Sequence, residues 1–375
     1  MQIISRKLTS TILGLLQLNK VILLHGTRRV GKTFLLNSLI GQYAGKYKFF
    51  NGEDFEVQEL LKLRSQAHYQ RIIGDAALLI IDEAQAIPDI GLVLKLMIDT
   101  NNQLTILATG SSSFDLMNKT GEPLTGRKRS FMLYPIAQTE LGIDYMEAKR
   151  QQEERLVFGS YPELFNLQGN DNKAIYLKEL IQSYLLKDIL AFSGIRHADK
   201  IVSLLRLIAY QVGAEVSYQE IAAQLGINKM TVESYLDLLS KVFILYKLPA
   251  YSTNQRKEIS KTAKWYFYDN GIRNAIINDF RMPVLRNDIG LLWENYILSE
   301  RIKRNAYNDR IVQYFFWPNY NQQEIDLIEL ENGQLRAFEC KFSLNKKIKI
   351  PPAFSAAYPD AVFEVIHKDN YLDFI

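Results

Sequence analysis

The sequence predicts an α/β protein of several domains, opening on a parallel-sheet core that carries a phosphate-binding loop. Three observations carry this reading. An all-apolar run, Val21 to Leu24, ends in a glycine- and lysine-bearing loop ahead of a helical pattern. A second all-apolar run, Leu78 to Ile81, ends in Asp82 and Glu83. Downstream come a helix–turn–helix pattern and an Asn-Gly hairpin with acidic residues on one face. The 375 residues suffice for two to four domains. With 47% hydrophobic and 23% charged residues, the composition is that of a soluble globular chain. A net charge of +4 is compatible with a polyanionic partner such as DNA. The single cysteine, Cys340, excludes an internal disulfide and fits a reducing, cytoplasmic setting. The apolar stretch Ile12 to Leu18 is too short to span a bilayer and no cleavage site follows, so no membrane association is expected.

The first strand, Val21–Leu24, leads into Gly26-Thr27-Arg28-Arg29-Val30-Gly31-Lys32-Thr33 and then the apolar helical positions Phe34, Leu35, Leu36 and Leu39. Strand, loop and helix in that order are what a phosphate cradle requires. Gly26 and Gly31 let the backbone curl so that amide hydrogens converge on an anion, and the helix turns its positive end to the same place. The reading makes residues 26 to 34 the nucleotide-binding segment, with Lys32 on the β- and γ-phosphates of ATP and the Thr33 hydroxyl on Mg²⁺. The run without alternation at Leu78–Ile81 suits a central parallel strand buried on both faces, and carboxylates at its carboxyl end fall where such sheets bind ligands. Asp82 is expected to hold Mg²⁺ through water and Glu83 to polarise the attacking water. A third strand, Leu104–Ala108, runs into Thr109-Gly110-Ser111-Ser112-Ser113, where a hydroxyl such as that of Ser111 is placed to sense the γ-phosphate. Arg127, before a strand at Phe131–Leu133, is a candidate for stabilising the transition-state charge, in cis or from a neighbouring subunit; a structural salt bridge is the alternative.

From Gln138 to about Leu207 the pattern is helical, with Ile175, Leu180, Tyr184, Leu185 and Ile189 near 3.6 spacing, and is read as a lid on the core. Ser217 with Glu220 forms a capping box; Ile221, Ala222 and Leu225 face inward, Gly226-Ile227-Asn228 turns, and a second helix spans Lys229–Lys241 with Tyr235, Leu238 and Leu239 inward. Two strands then flank a wing from Tyr251 to Lys264, made basic by Arg256, Lys257, Lys261 and Lys264. Such a wing suits phosphate contacts with DNA, and equally a protein-docking module.

Asn332-Gly333 between alternating runs signals a two-residue type I′ hairpin. Opposed residues then have numbers summing to a constant. Glu329 faces Arg336, Glu324 faces Lys341, and Asp326 faces Glu339. Like charges directly opposed are destabilising. A divalent cation would relieve them, or Lys341 neutralises them within a structural sheet. Upstream, Glu294 shares an apolar helical face with Leu291 and Leu298, so it needs a partner or a metal. The metal reading gathers Glu294, Asp326, Glu339 and Lys341 around Mg²⁺ or Mn²⁺ in a phosphodiesterase-like site.

These motifs resemble those of the AAA-type P-loop ATPases of bacteria and archaea that carry a carboxyl-terminal domain of unknown function. "GTRRVGKT" resembles the family's Walker A and "LLIIDEAQ" its Walker B; "TGSSS" and "LTGR" resemble its sensor and arginine-finger stretches. "GSYPE", "KWYFYDNG", "LLWENYILSE", "EIDLI" and "FECKF" are similar to its later landmarks. The resemblance implies a P-loop NTPase core over 1–140, a helical lid over 141–207, a winged helix over 208–275 and a small α/β domain like the PD-(D/E)xK nucleases over 285–375. It implies ATP binding with Mg²⁺ and hydrolysis. The DNA transaction, a protein partner reached through a nucleotide-dependent switch, an ATP-gated nuclease and a homo-oligomer stand as alternatives at this point.

Overall fold

The computed structural model describes residues 3–16, 19–110, 124–185, 198–251, 263–318, 323–344 and 347–375. They divide into two compact units, Ile3–Tyr134 with Lys241–Phe243, and Pro135–Ser240 with Ile244–Ile375.

The first unit runs α1 (Lys7–Leu13), β1 (Val21–His25), α2 (Lys32–Ile40), β2 (Tyr47–Asn51), α3 (Phe55–Lys62), α4 (Gln66–Ile73), β3 (Leu78–Asp82), α5 (Ile90–Thr100), β4 (Thr105–Gly110) and β5 (Lys128–Met132). The strands form one parallel sheet in the order β2-β3-β4-β1-β5, the arrangement of a P-loop NTPase core. Strands β1, β3 and β4 are buried at every position, which is why their sequences do not alternate. Strand β2 is an edge, half-exposed on alternate residues, and carries too little apolar signal to stand out in the sequence. Side chains of α4 and α5 pack on one face of the sheet, with Tyr69, Ile73, Val93, Leu94 and Met97 against Val21, Leu23, Leu79, Ile81 and Ile106. The register aligns Leu24 with Thr109, and Ile81 with Ala108. The loop after β1 and the acidic pair after β3 therefore leave the sheet at one end, with the end of β4 between them.

The second unit comprises α6 (Tyr145–Phe158), α7 (Asn170–Leu180), α8 (Ala198–Tyr210), β6 (Glu215–Val216), α9 (Tyr218–Leu225), α10 (Lys229–Lys241), β7 (Leu245–Pro249), β8 (Ala263–Phe267), α11 (Asn270–Ile277), α12 (Ile289–Tyr307), β9 (Gln313–Pro318), β10 (Glu324–Glu331), β11 (Gln334–Cys340), α13 (Pro352–Ala357), β12 (Val362–Ile366) and α14 (Tyr371–Phe374). The helices expected to form a lid divide with this unit, and α6 packs on α11. On α7 the buried residues are Lys173, Leu177 and Leu180, while the expected core residue Ile175 is exposed. Ile189 lies outside the described residues.

The helix–turn–helix forms where the sequence placed it. Ser217 Oγ accepts the Glu220 N–H at 3.4 Å, and Gly226 adopts the left-handed conformation at φ 65°. On α10 the inward residues are Val232, Tyr235, Leu236 and Leu239; Leu238 is only partly buried. Strands β6, β8 and β7 form an antiparallel sheet in that order. Of the expected basic wing, Arg256, Lys257 and Lys261 lie outside the described residues. Lys264 is a correction: it sits in β8 and is 1% exposed, so it is not a surface phosphate contact.

The last sheet has the order β12-β11-β10-β9, with β11 and β12 parallel and the other pairs antiparallel. The hairpin register is the expected one, Leu327 opposite Phe338 through Glu331 opposite Gln334, and Asn332 and Gly333 have φ 51° and 80°. Two of the expected ion pairs do not form. Glu329 opposes Arg336 in register, but its carboxylate is buried and gripped by Arg301 Nε and Nη2 of α12 at 2.7 and 2.8 Å. Glu324 pairs with Lys264 at 3.1 Å, because a bulge between Ile325 and Ile328 re-aims the start of β10.

Candidate nucleotide site and a carboxylate–lysine cluster

The loop from Gly26 to Gly31 is shaped by steric necessity. A Cβ on Gly26 would lie 2.5 Å from the Leu133 carbonyl oxygen, and Gly31 takes φ 93° as it starts α2. Val30 is buried and its carbonyl accepts from Arg6 Nη1 at 2.6 Å; Arg6 Nη2 reaches the Tyr134 carbonyl at 2.7 Å. This buried arginine, which fixes the loop from outside, gave no signal in the sequence because its partners are main-chain atoms far along the chain. Lys32 is buried, with Nζ 2.9 Å from the Gly26 carbonyl and 3.1 Å from that of Thr27. Its ammonium thus rests inside the loop, where an anion would take over these bonds. Thr33 and Phe34 are exposed at the head of α2.

Thr33 Oγ1 donates to Asp82 Oδ2 at 3.0 Å. That pair couples the loop to β3 and is the oxygen set a Mg²⁺ ion with ATP would use. Thr109 Oγ1 donates to Asp82 Oδ1 at 2.5 Å and accepts the Glu83 N–H at 3.0 Å. Glu83 is held at φ 49°, a left-handed conformation that costs a non-glycine residue about 1 kcal/mol. Its Oε2 accepts from Gln85 Nε2 at 2.6 Å. Gly52, which donates to the Asp82 carbonyl at 2.7 Å, must lack a side chain because a Cβ there would lie 2.5 Å from the Glu83 carbonyl oxygen. Thr109, Gln85 and Gly52 are thus built into the site although only the strand-end hydroxyls as a group were expected. Ser111, the expected sensor, lies outside the described residues.

His25, the last residue of β1, is buried with neither ring nitrogen hydrogen-bonded among the described residues. Burial, then the charges of Lys128 and Lys32, pull its pKa down to about 4, so it is neutral beside the loop. Arg127 is placed differently. Its carbonyl accepts the Val21 N–H at 2.9 Å, at the start of β1, so it stands at the end of the sheet away from the loop. Five strand residues separate the two ends, roughly 16 Å. The half-exposed guanidinium forms an ion pair with Asp99 on α5. The in-cis arginine-finger reading is therefore corrected: this arginine faces away from its own loop.

Residues 18–142 match the family model described as AAA domain. The amino-terminal module is an AAA-type ATPase domain. Beyond this AAA module, residues 149–282 and 289–370 match two models, each described as a domain of unknown function, so both halves of the second unit carry recognised domain patterns. The chain is 28% identical over 326 residues to an uncharacterized protein of Mycobacterium tuberculosis, covering 86% of this chain and 70% of that one. It is 26% identical to an uncharacterized protein of Methanocaldococcus jannaschii, covering 84% and 74%. Solved structures with low-scoring likeness include the Aeropyrum pernix ORC1 protein in complex with DNA, at TM-score 0.30 and 15% identity over 74% of this chain and 93% of that one. Another is the Thermotoga maritima RuvB Holliday junction branch migration motor, at TM-score 0.30 and 16% identity over 68% and 95%. No helix among the described residues is long and apolar enough to cross a membrane.

In the second unit Glu294, Asp326, Glu339 and Lys341 lie in one cluster with Lys264, Tyr266 and Glu324. Glu294 Oε1 accepts the Tyr266 hydroxyl at 2.5 Å and lies 3.8 Å from Lys264 Nζ. Asp326, 2% exposed, accepts the Cys340 N–H at 2.7 Å and lies 3.8 Å from Lys341 Nζ. Lys341 Nζ is 2.7 Å from Glu339 Oε1. Burial, followed by the Asp326 charge, raises the carboxyls of Glu294 and Glu339 well above their ordinary range, and burial raises Asp326. The expected repulsion between Asp326 and Glu339 is real, and lysine relieves it. Among the described residues no group of three or more His, Cys, Asp or Glu is arranged to hold a metal ion, so the second Mg²⁺ or Mn²⁺ gains no support from the donor geometry.

Proposed function

We propose that the protein is a Mg²⁺-dependent ATP hydrolase of the AAA type whose nucleotide state is coupled to a carboxyl-terminal module that binds DNA or a protein. The carrying observation is the shared end of β1, β3 and β4, where Thr33, Asp82, Glu83 and Thr109 form one bonded array and Lys32 rests on the Gly26 and Thr27 carbonyls of the loop. In this reading the loop amides and Lys32 bind the triphosphate, and Thr33 with Asp82 holds Mg²⁺, which supplies charge neutralisation when bound. Glu83 orients and deprotonates the attacking water. Arg127 serves the site of a neighbouring copy, which makes the active form a homo-oligomer. The helix–turn–helix with its three-stranded sheet supports the partner-binding role as a winged helix, and the choice between DNA and protein rests on measurement. The metal-dependent nuclease alternative draws on the Glu294, Asp326, Glu339 and Lys341 cluster, whose lysine pairing favours a structural role.

Calorimetry with ATP and Mg²⁺, together with phosphate release, tests the reading. Glu83→Gln is expected to bind ATP within about threefold of wild type and to lose turnover by about 100-fold. Lys32→Ala is expected to lose binding. Unchanged phosphate release in the Glu83 variant would overturn the assignment. Titration with duplex DNA across a salt series then separates the partners: a steep fall in affinity with salt is the mark of phosphate contacts, and absence of binding at low salt leaves the protein partner.

A further inference from the structure

We propose that Lys264 is an internal counter-ion standing where a divalent cation would sit in the carboxylate cluster, so that the cluster binds such a cation only when Lys264 is removed. The inference is independent of the nucleotide reading.

Four acidic side chains meet here: Glu294 from α12, Glu324 and Asp326 from β10, and Glu339 from β11. Lys341 serves one side, at 2.7 Å from Glu339 and 3.8 Å from Asp326. The opposite side is served by Lys264, which comes from β8 of the other, three-stranded sheet. Its Nζ is 3.1 Å from Glu324 and 3.8 Å from Glu294, so it bridges two carboxylates as a metal would. The ammonium lies over the Phe316 ring, 5.3 Å from its centroid, an apolar and cation-stabilising wall. It is almost wholly buried, so it has no short path to water. On the far side of Glu294 the backbone is close: a Cβ on Gly213 would lie 3.1 Å from Oε1. A divalent ion bridging the same two carboxylates would stand beside this ammonium, and like charges that close repel strongly in a buried setting. Burial opposes the Lys264 charge, and the Glu294, Asp326 and Glu324 carboxylates outweigh it, which favours the ammonium form.

The experiment titrates MnCl₂, without nucleotide, into wild type, Lys264→Arg and Lys264→Met, following heat of binding and thermal unfolding. Wild type and Lys264→Arg should show no Mn²⁺ binding that Asp326→Asn removes. Lys264→Met should be less stable in chelator and gain about 5 °C in unfolding midpoint at roughly hundredfold excess of Mn²⁺ over Kd. Adding Asp326→Asn to it should abolish the gain. Asp326-dependent Mn²⁺ binding by wild type overturns the proposal, as does a folded Lys264→Met protein that binds none. If Lys264→Met folds only with Mn²⁺, the proposal is supported. If it folds under neither condition, the wild-type titration decides by itself.

Discussion

The Thr109 hydroxyl donates to Asp82 Oδ1 and accepts from the Glu83 N–H, so removing it deletes two bonds and leaves those groups their mutual contact at 3.2 Å. Thr109→Val keeps the volume and deletes only these bonds. Losing the two bonds costs about 1–3 kcal/mol of local order. ATP turnover should therefore fall by at least about tenfold, while affinity for ATP, set by the loop amides and Lys32, stays within about threefold; steady-state kinetics beside calorimetry checks the split. His25 gives a pH signature for the same unit. Its folded pKa of about 4 lies below the ordinary histidine value of 6.5. Between those values the unfolded chain binds a proton that the folded chain refuses. The His25 contribution is thus full above pH 6.5, falls as pH drops and is lost below pH 4, by about 3 kcal/mol in all. His25→Phe should gain about that much on wild type between pH 7 and pH 4 in urea unfolding. Lys32, Thr33, Asp82 and Glu83 were legible because local order of strand, loop and acidic pair identifies them. Thr109's exact role, Arg6, Gly52 and His25 were not, since each acts through atoms on a neighbouring strand or loop that local sequence does not specify.

The helix α12 is buried nearly all round, so the apolar face read from Leu291, Glu294 and Leu298 is only part of its buried surface. It also buries Asn295, Glu300, Arg301, Lys303 and Asn305, each matched, like Glu294, to a specific partner. Arg301 forks onto Glu329 of β10, and Asn305 adds a third bond at 2.7 Å. Arg301→Met should leave Glu329 buried without its cation and destabilise the second unit by about 3–5 kcal/mol. Adding Glu329→Gln should restore part of that loss, seen in the urea midpoint. The Asn-Gly turn made the hairpin register legible, because turn chemistry fixes register locally. It did not reveal Arg301, which arrives from another element and displaces Arg336 as partner. The motifs "GSYPE" and "YDNG" are likewise structural. Asp269 caps α11 and accepts the Ser160 N–H at 2.7 Å, while any side chain on Gly159 would collide with Asp269 and any on Gly271 with the Phe158 carbonyl. Their spacing marks a joint between α6 and α11 that only the folded chain brings together.

At the scale of the molecule, the whole bonded array for nucleotide lies in one compact unit, Ile3–Tyr134, and all three tryptophans, Trp265, Trp293 and Trp317, lie in the other. Two observables can therefore be separated by where their reporters sit. Trp293 and Trp265 are buried, so unfolding of the second unit must change their emission. Calorimetric heat absorption reports both units. A ligand raises the stability of the state it binds by about 2.7 kcal/mol at hundredfold excess over Kd. Mg-ATP should accordingly raise the calorimetric transition of the first unit by several degrees, and Lys32→Ala should abolish that rise. Whether tryptophan emission follows depends on coupling. If nucleotide state is transmitted to the carboxyl-terminal module, the coupling free energy falls in the range of about 1–3 kcal/mol, and each kcal/mol moves the midpoint of a unit this size by about 2–4 °C. The proposed function therefore expects the tryptophan-detected melt to shift with Mg-ATP as well. A calorimetric shift with an unmoved tryptophan melt would retain the ATP site and remove the coupling, leaving two units joined in sequence and independent in energy.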